Sequence, residues 1–220
     1  MIELKDIYFS YDGERVIRGA SLSLGKECVA LVGPNGSGKT TLLKIMAGIY
    51  RPDRGEVIIE GRSLWKLPER EAVRLRRKVV YVHERPIVLR GSVMYNATFG
   101  LRIRGTEEAS SRVIDLLKEV GIEDLSRDAR TLSAGQAQLL ALVRAIVVDP
   151  LYLLLDEPFA NLDLDRRRIV LKLLTNLKKS GRGIIIATHD VFLAARMCSR
   201  AYVMREGVVR EVEPSSLLGI

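Results

Sequence analysis

"ECVALVGPNGSGKTTLLKIMAG", residues 27–48, changes character twice, and those changes decide the fold. Cys28 to Val32 is wholly apolar, as expected of a parallel strand buried on both faces. Gly33 to Thr40 then follow the spacing G-x-x-x-x-G-K-T, and an apolar helix runs on to about Gly48. Strand, glycine-rich turn and helix in that order make a phosphate cradle. Glycines let backbone N–H groups curl round phosphates without side-chain clashes. Lys39 can neutralise β- and γ-phosphates, and the Thr40 hydroxyl can hold Mg²⁺. The candidate nucleotide-phosphate-binding segment is Gly33, Pro34, Asn35, Gly36, Ser37, Gly38, Lys39, Thr40 and Thr41.

"LYLLLDEP", residues 151–158, ends a second buried strand in two carboxylates. Successive strand residues point to opposite faces, so Asp156 and Glu157 should have different tasks. Asp156 can hold Mg²⁺; Glu157, one step further, can orient or deprotonate an attacking water. Ligands of open α/β sheets bind at strand C-termini, so the two motifs should converge.

Around these motifs the first third reads as strands, "IELKDIYFSY" and "GEVIIEG" flanking the buried run, with Glu-Gly turns marking hairpins. From about Pro86 to Val148 the pattern becomes helical. Val113, Leu116, Leu117 and Val120 share one face, and Gly121 stands where a helix ends. Strands return as "LYLLL" and "GIIIAT", separated by a helix carrying Ile169, Val170, Leu173, Leu174 and Leu177. "AYVMREGVVREV" closes the chain as a hairpin. The expected fold is α/β: a mostly parallel core sheet, an N-terminal antiparallel β subdomain and an inserted helical subdomain. Residues 1–84 and 150–220 make the core with its antiparallel part, and 85–149 the helical insertion.

"LSAGQAQLLALVRA", residues 132–145, opens on small polar residues and becomes a mostly apolar helix. Ser133 and Gln136 have capping-box spacing. A helix start suits an anion, yet no lysine and no strand precedes this one.

Composition sets the outer limits. The 220 residues suffice for one large domain or one domain with an inserted lobe, and the 47% hydrophobic content supplies a core that only 5% aromatics make mostly aliphatic. No apolar run approaches the ~20 residues of a membrane span and no signal-peptide pattern opens the chain. The protein is therefore expected to be soluble and to stay inside the cell. Cys28 and Cys198, far apart in sequence and in apolar segments, are expected to be buried, reduced thiols rather than a disulfide framework or metal site. The net charge of +8 suits polyanionic partners, although its densest cluster, "RLRRK" at 74–78, reads first as a solvated helix face. Arginine-rich, amide-poor usage leans weakly toward a thermophilic source.

Taken together, the phosphate loop, "LLLDEP" and "LSAGQ" in this order resemble the nucleotide-binding subunit of ATP-binding cassette (ABC) transporters, over essentially the whole chain. The resemblance implies ATP hydrolysis with Mg²⁺, with Lys39, Glu157 and His189 of "THD" as catalytic residues and Thr40, Asp156 and Glu84 at the metal. It implies a homodimer in which Leu132, Ser133, Ala134, Gly135 and Gln136 meet ATP held by a second copy. Tyr11 matches the aromatic that stacks on adenine, with Tyr8 the alternative. Asp163 of "NLD" matches a residue that signals across the dimer, or it caps the next helix, as Asp165 could.

Three departures stand out. Ala134 replaces a glycine of the family signature, and Leu139 replaces an arginine. Glu84 stands where the family has glutamine; we read it as a metal ligand, the alternative being a surface residue that leaves the role unfilled. With no membrane segment, the transmembrane permease is expected to be another polypeptide, with the ATPase peripheral on the cytoplasmic face of the membrane. "LRGSVMYNATFGL", residues 89–101, lies where such subunits grip permeases and resembles small-anion importers of the phosphate and tungstate kind. A solute-binding protein would be a further partner, and no nucleic acid is expected. The interval from Thr41 to Leu132 is too short for the coiled coils of DNA-repair relatives. An iron–sulfur assembly ATPase is the alternative reading, and a kinase or GTPase is disfavoured by "LSAGQ" and "THD".

Overall fold

The computed structural model describes residues 1–106, 110–160 and 162–219. By their internal contacts these residues form two compact units. The first comprises Met1–Tyr81, Leu151–Glu157 and Lys178 onward; the second comprises Val82–Pro150 and Pro158–Leu177.

In the first unit, β1 (Ile2–Tyr11), β2 (Glu14–Leu24), β4 (Arg54–Ile59) and β5 (Arg62–Ser63) form an antiparallel sheet in the order β2-β1-β4-β5. The larger sheet runs β10-β9-β3-β8-β7-β6, with β3 (Cys28–Val32), β6 (Val79–Val82), β7 (Tyr152–Asp156), β8 (Gly183–Thr188), β9 (Arg200–Arg205) and β10 (Val208–Val212). β3 pairs in parallel with β8 and β9, and β7 with β8. All residues of β3, β7 and β8 are buried, which is why they read as unbroken apolar runs.

Three hairpins turn on two residues with positive φ, as a type I′ turn requires: Asp12-Gly13, Glu60-Gly61 and Glu206-Gly207. The first joins β1 to β2, a strand that the reading of strands above leaves out. β2 hides its pattern: Ile17, Ala20, Leu22 and Leu24 are buried among Glu14, Arg15, Arg18 and Ser21, and the β1–β2 register shifts break the two-residue period.

Register positions the site. Val32 stands opposite Thr188, and Asp156 opposite Ala187, so β3, β7 and β8 end level with one another. Gly33, Glu157 and His189, the next residue of each strand, therefore emerge at one edge. α1 (Lys39–Met46) follows the loop from β3, α2 (Glu69–Arg76) precedes β6, and α7 (Val191–Met197) leads from β8 towards β9.

The second unit holds α3 (Val93–Arg104), α4 (Ser110–Glu119), α5 (Ala134–Val147) and most of α6 (Leu164–Lys179). Ser92 caps α3, and Gly105 with φ 69° ends it. Val113, Leu117 and Val120 are buried on α4's expected face. Asn96, fully buried, accepts from Leu89 N–H and donates to the carbonyls of Leu89 and Ser92, tying down the segment before α3. Among the described residues no helix is long and apolar enough to cross a membrane.

Candidate active site

The loop between β3 and α1 is shaped by contacts that fix its residue types. A Cβ on Gly33 would lie 2.2 Å from the Met204 carbonyl oxygen, so no other residue fits without moving β9. The residue that caps α1 is Gly38, with φ 105° and no side chain to satisfy the first-turn N–H groups. A helix start left in that state suits an anion. Lys39, 7% exposed, donates from Nζ to the carbonyls of Gly33 (2.8 Å) and Pro34 (3.1 Å). The Ser37 hydroxyl is buried with no hydrogen-bond partner. Leaving such a group unpaired costs about 1–3 kcal/mol, and a phosphate oxygen in the loop would remove that cost.

The two motifs meet in the first unit. Thr40 Oγ1 donates to Asp156 Oδ2 at 2.7 Å, and the Tyr81 hydroxyl donates to the same oxygen at 2.9 Å. Asp156 is only 1% exposed, so these two donors stand in for water. Among the described residues no group of three or more His, Cys, Asp or Glu could hold a metal. That donor set fits Mg²⁺, which takes hard oxygen ligands, needs few from protein and completes its shell with phosphates and water. Thr40 and Asp156 are the residues that could hold it.

Glu157 is positioned differently. Its φ of 45° is left-handed, a conformation costing a non-glycine residue on the order of 1–3 kcal/mol. The surroundings impose it: Glu157 N–H donates to Ala187 O (2.9 Å), and the carboxylate accepts from Thr188 Oγ1 (3.0 Å) and His189 N–H (3.0 Å). His189 Nδ1 lies 2.9 Å from the same carboxylate. The result is an oriented base one strand removed from β3, with an imidazole attached that is itself 69% exposed.

Tyr11 and Tyr8 separate clearly. Tyr11 is 39% exposed and packs edge-on against Phe9 and Tyr50 at 4.9 and 5.8 Å between centroids. Partial burial pushes its phenol above the ordinary value, while a hydrogen bond from Thr41 in the phosphate segment works against that rise. Tyr8 is instead flanked by the guanidiniums of Arg15 and Arg54 at 5.5 and 5.3 Å. Of the two, Tyr11 keeps the more open ring and is the one linked to the phosphate segment, through Thr41. Stacking contributes about 1–3 kcal/mol per base. Tyr11→Ala should weaken ATP binding roughly tenfold or more, at 1.4 kcal/mol per decade, while leaving the fold intact. Calorimetry checks it; unchanged affinity would remove Tyr11 from the site.

The remaining sequence candidates lie in the second unit. Ser133 Oγ accepts from Gln136 N–H (3.3 Å) and Gln136 Oε1 accepts from Ser133 N–H (3.2 Å), a complete capping box. Leu132 and Gln136 are half-buried, Ser133 and Ala134 exposed and Gly135 buried. Leu139, where the family carries arginine, is fully buried; its packing contributes about 1.5–3 kcal/mol relative to exposure. Asp163 caps α6, accepting from Arg166 N–H (2.9 Å) and from its guanidinium (2.7 Å); Asp165 pairs with Arg168. Asn161 of the same motif lies outside the described residues. Glu84 is exposed in a bend after β6, where its neighbour Arg85 N–H donates to His83 Nδ1.

Sequence reasoning passes over Tyr81 and Thr188. The alternation in "VVYV" could have flagged Tyr81 as facing one side with Val79, and "THD" contained Thr188, but only strand register shows which carboxylate each one meets.

A glycine-cradled lysine at a helix start, a threonine–aspartate pair and an oriented glutamate at level strand ends define a P-loop protein that binds nucleoside triphosphate. Residues 17–160 match the family described as ABC transporter. The phosphate import ATP-binding protein PstB 2 of Natronomonas pharaonis is 33% identical over 218 residues, covering 93% of this chain and 77% of that protein. The energy-coupling factor transporter ATP-binding protein EcfA of Methanocaldococcus jannaschii is 37% identical over 225 residues, covering 99% and 80%. Among solved structures, a dimeric ATP-binding cassette in a post-hydrolysis state with ADP and Pi is similar with a TM-score of 0.88 at 27% identity, covering 97% of this chain and 99% of that one. The chain belongs to the ABC transporter family, and it is an ATP-binding ATPase of that family.

Proposed function

We propose that two copies of this chain associate head-to-tail around two ATP·Mg²⁺ and power a separate membrane permease from the cytoplasmic face, importing a small solute of the phosphate-like anion class. The observation that carries the dimer is the exposed start of α5 at Ser133, where the capping box takes up the N–H groups of Ser133 and Gln136 and leaves the rest of the first turn to an incoming anion. It has the chemistry to meet an anion, yet it belongs to no strand-and-lysine cradle of its own. Residues 132–136 would meet the γ-phosphate held by the other copy's Gly33–Thr41, while each copy keeps its own Lys39, Thr40, Asp156 and Glu157. A two-fold axis makes both sites equivalent. The import reading rests on the names of relatives such as the phosphate import protein.

At each site Lys39 exchanges its two loop carbonyls for phosphate oxygens. Glu157, held by Thr188 and His189, takes the proton of an incoming water. His189, exposed beside it, can donate a hydrogen bond toward the γ-phosphate. Mg²⁺, when bound at Thr40 and Asp156, neutralises charge on the β- and γ-phosphates. Reconstitution in vesicles with the permease that co-purifies with this subunit tests the transport reading. ATP-dependent uptake of labelled phosphate or a related oxyanion is expected, and an ATPase rate indifferent to the permease would overturn it.

Glu84, read from its sequence position as a metal ligand, would add a third acid to Asp156 and Glu157 if it serves in that role. Like charges raise one another's pKa and repel a hydroxide-like nucleophile. Glu84→Gln should therefore hydrolyse ATP at least as fast as the parent while needing somewhat more Mg²⁺. ATPase rate measured against Mg²⁺ concentration decides the point. A large loss at saturating Mg²⁺ would give the carboxylate its own catalytic part, and an unchanged Mg²⁺ dependence would place it away from the site.

A further inference from the structure

Cys28 and Cys198 are expected from sequence to be buried, reduced thiols rather than a disulfide framework or metal site, and the fold brings them together. Cys28 opens β3 and Cys198 ends α7, both are buried, and their Sγ atoms lie 2.6 Å apart. The backbones that carry them are already joined: Ser199 donates to the Cys28 carbonyl from its N–H (2.9 Å) and from its hydroxyl (3.2 Å). A disulfide bond is about 2.05 Å long, so the sulfurs need to close by only about half an ångström.

We propose that Cys28 and Cys198 close to an intramolecular disulfide when the chain meets a disulfide oxidant. The bond ties the strand that feeds the phosphate loop to the far end of the helix that follows His189. The chemistry is thiol–disulfide exchange. One cysteine thiolate attacks a sulfur of R–S–S–R, forming a mixed disulfide and releasing R–S⁻; the second thiolate attacks the cysteine sulfur of that bond and releases another R–S⁻. Two thiols lose two protons and two electrons, and the oxidant leaves as two thiols.

Access is the controlling step. The hydrogen bond with Cys28, and then burial, push the Cys198 thiol well above the usual thiol range, so the closed pair reacts slowly. α7 is the element that opens the way. It has seven residues, fully buries only Ala194 and exposes Phe192, so little packing resists its local opening. Once formed, the disulfide is shielded from reductants by the same burial.

The test oxidises the native full-length chain with oxidised glutathione and compares it with a sample kept reduced by a phosphine. Oxidation should remove both thiols titratable in denaturant, lower the mass by two hydrogens and leave one chain per band on a non-reducing gel. Digestion should yield one linked pair of peptides containing Cys28 and Cys198. The melting temperature should rise by about 5–15 °C, because the cross-link closes a long loop of the unfolded chain. Cys198→Ser should show no difference between oxidant and reductant. Should that variant not fold, peptide mapping of the unaltered chain decides alone. Two thiols still titratable after oxidation, glutathione on each cysteine, or a bond between two chains would each overturn the proposal.

Discussion

Glu157→Gln is expected to lower ATP turnover by about 100- to 10,000-fold, the range a positioned general base contributes. The same variant should hold ATP and persist as a dimer. The substitution keeps size and backbone demand: the left-handed φ of 45° strains glutamine as it does glutamate. One amide oxygen can still accept from His189 N–H. The amide N–H₂ then faces Thr188 Oγ1, whose hydroxyl can turn round and accept, while the imidazole stays on the amide oxygen. What disappears is basicity, since an amide takes no proton from water at neutral pH. Lys39, Thr40 and Asp156 are untouched, so the phosphate grip that would join two copies outlasts the chemistry. Size-exclusion chromatography with saturating ATP, beside a single-turnover assay, reads both effects. A variant that remains monomeric would count against the proposed dimer; one that keeps the parent's rate would remove Glu157 from the chemistry.

How much of this was legible beforehand follows from the range of each interaction. The Gly33–Thr41 segment, the strands at Cys28 and Tyr152 and the capping box at Ser133 are local: a few adjacent residues determine each, and sequence reading locates them. The fold class follows as well, because unbroken apolar runs demand a parallel sheet covered on both faces. β2 escapes a reading of the sequence because its charged residues and register shifts hide its alternation. The partnerships of Asp156 with Tyr81, of Glu157 with Thr188 and of Cys28 with Cys198 depend on which strands lie side by side and level. Strand order is a property of the whole sheet, and no window of sequence contains it. Asp163 shows a third situation: its helix cap is local and was foreseen as an alternative, while any message it carries across a dimer lies outside a single chain.

Lys39→Met carries the second large effect, this time on binding. The ammonium is nearly buried, and in the chain alone it is held by the carbonyls of Gly33 and Pro34. Two neutral oxygens are a weak environment for a buried cation. They leave the full charge free to be exchanged for phosphate oxygens that carry real negative charge, where such contacts become charge-assisted. Removing one partner of a desolvated charge pair costs about 2–5 kcal/mol, which corresponds to roughly 30- to 3,000-fold in affinity at 1.4 kcal/mol per decade. Methionine preserves the aliphatic stem, so packing against the loop should survive. The loop has other supports, Ser37 N–H to Pro34 O (3.3 Å) and Gly207 N–H to Ser37 O (3.1 Å), so the melting temperature without nucleotide should change little. ATP and AMP titrations of parent and variant make the comparison specific. The lysine of a phosphate loop meets the β- and γ-phosphates, so ATP binding should collapse while any weak AMP binding should stay the same. Equal losses for ATP and AMP would mean that the loop had been distorted. ATP affinity within threefold of the parent would mean that the lysine does not hold phosphate.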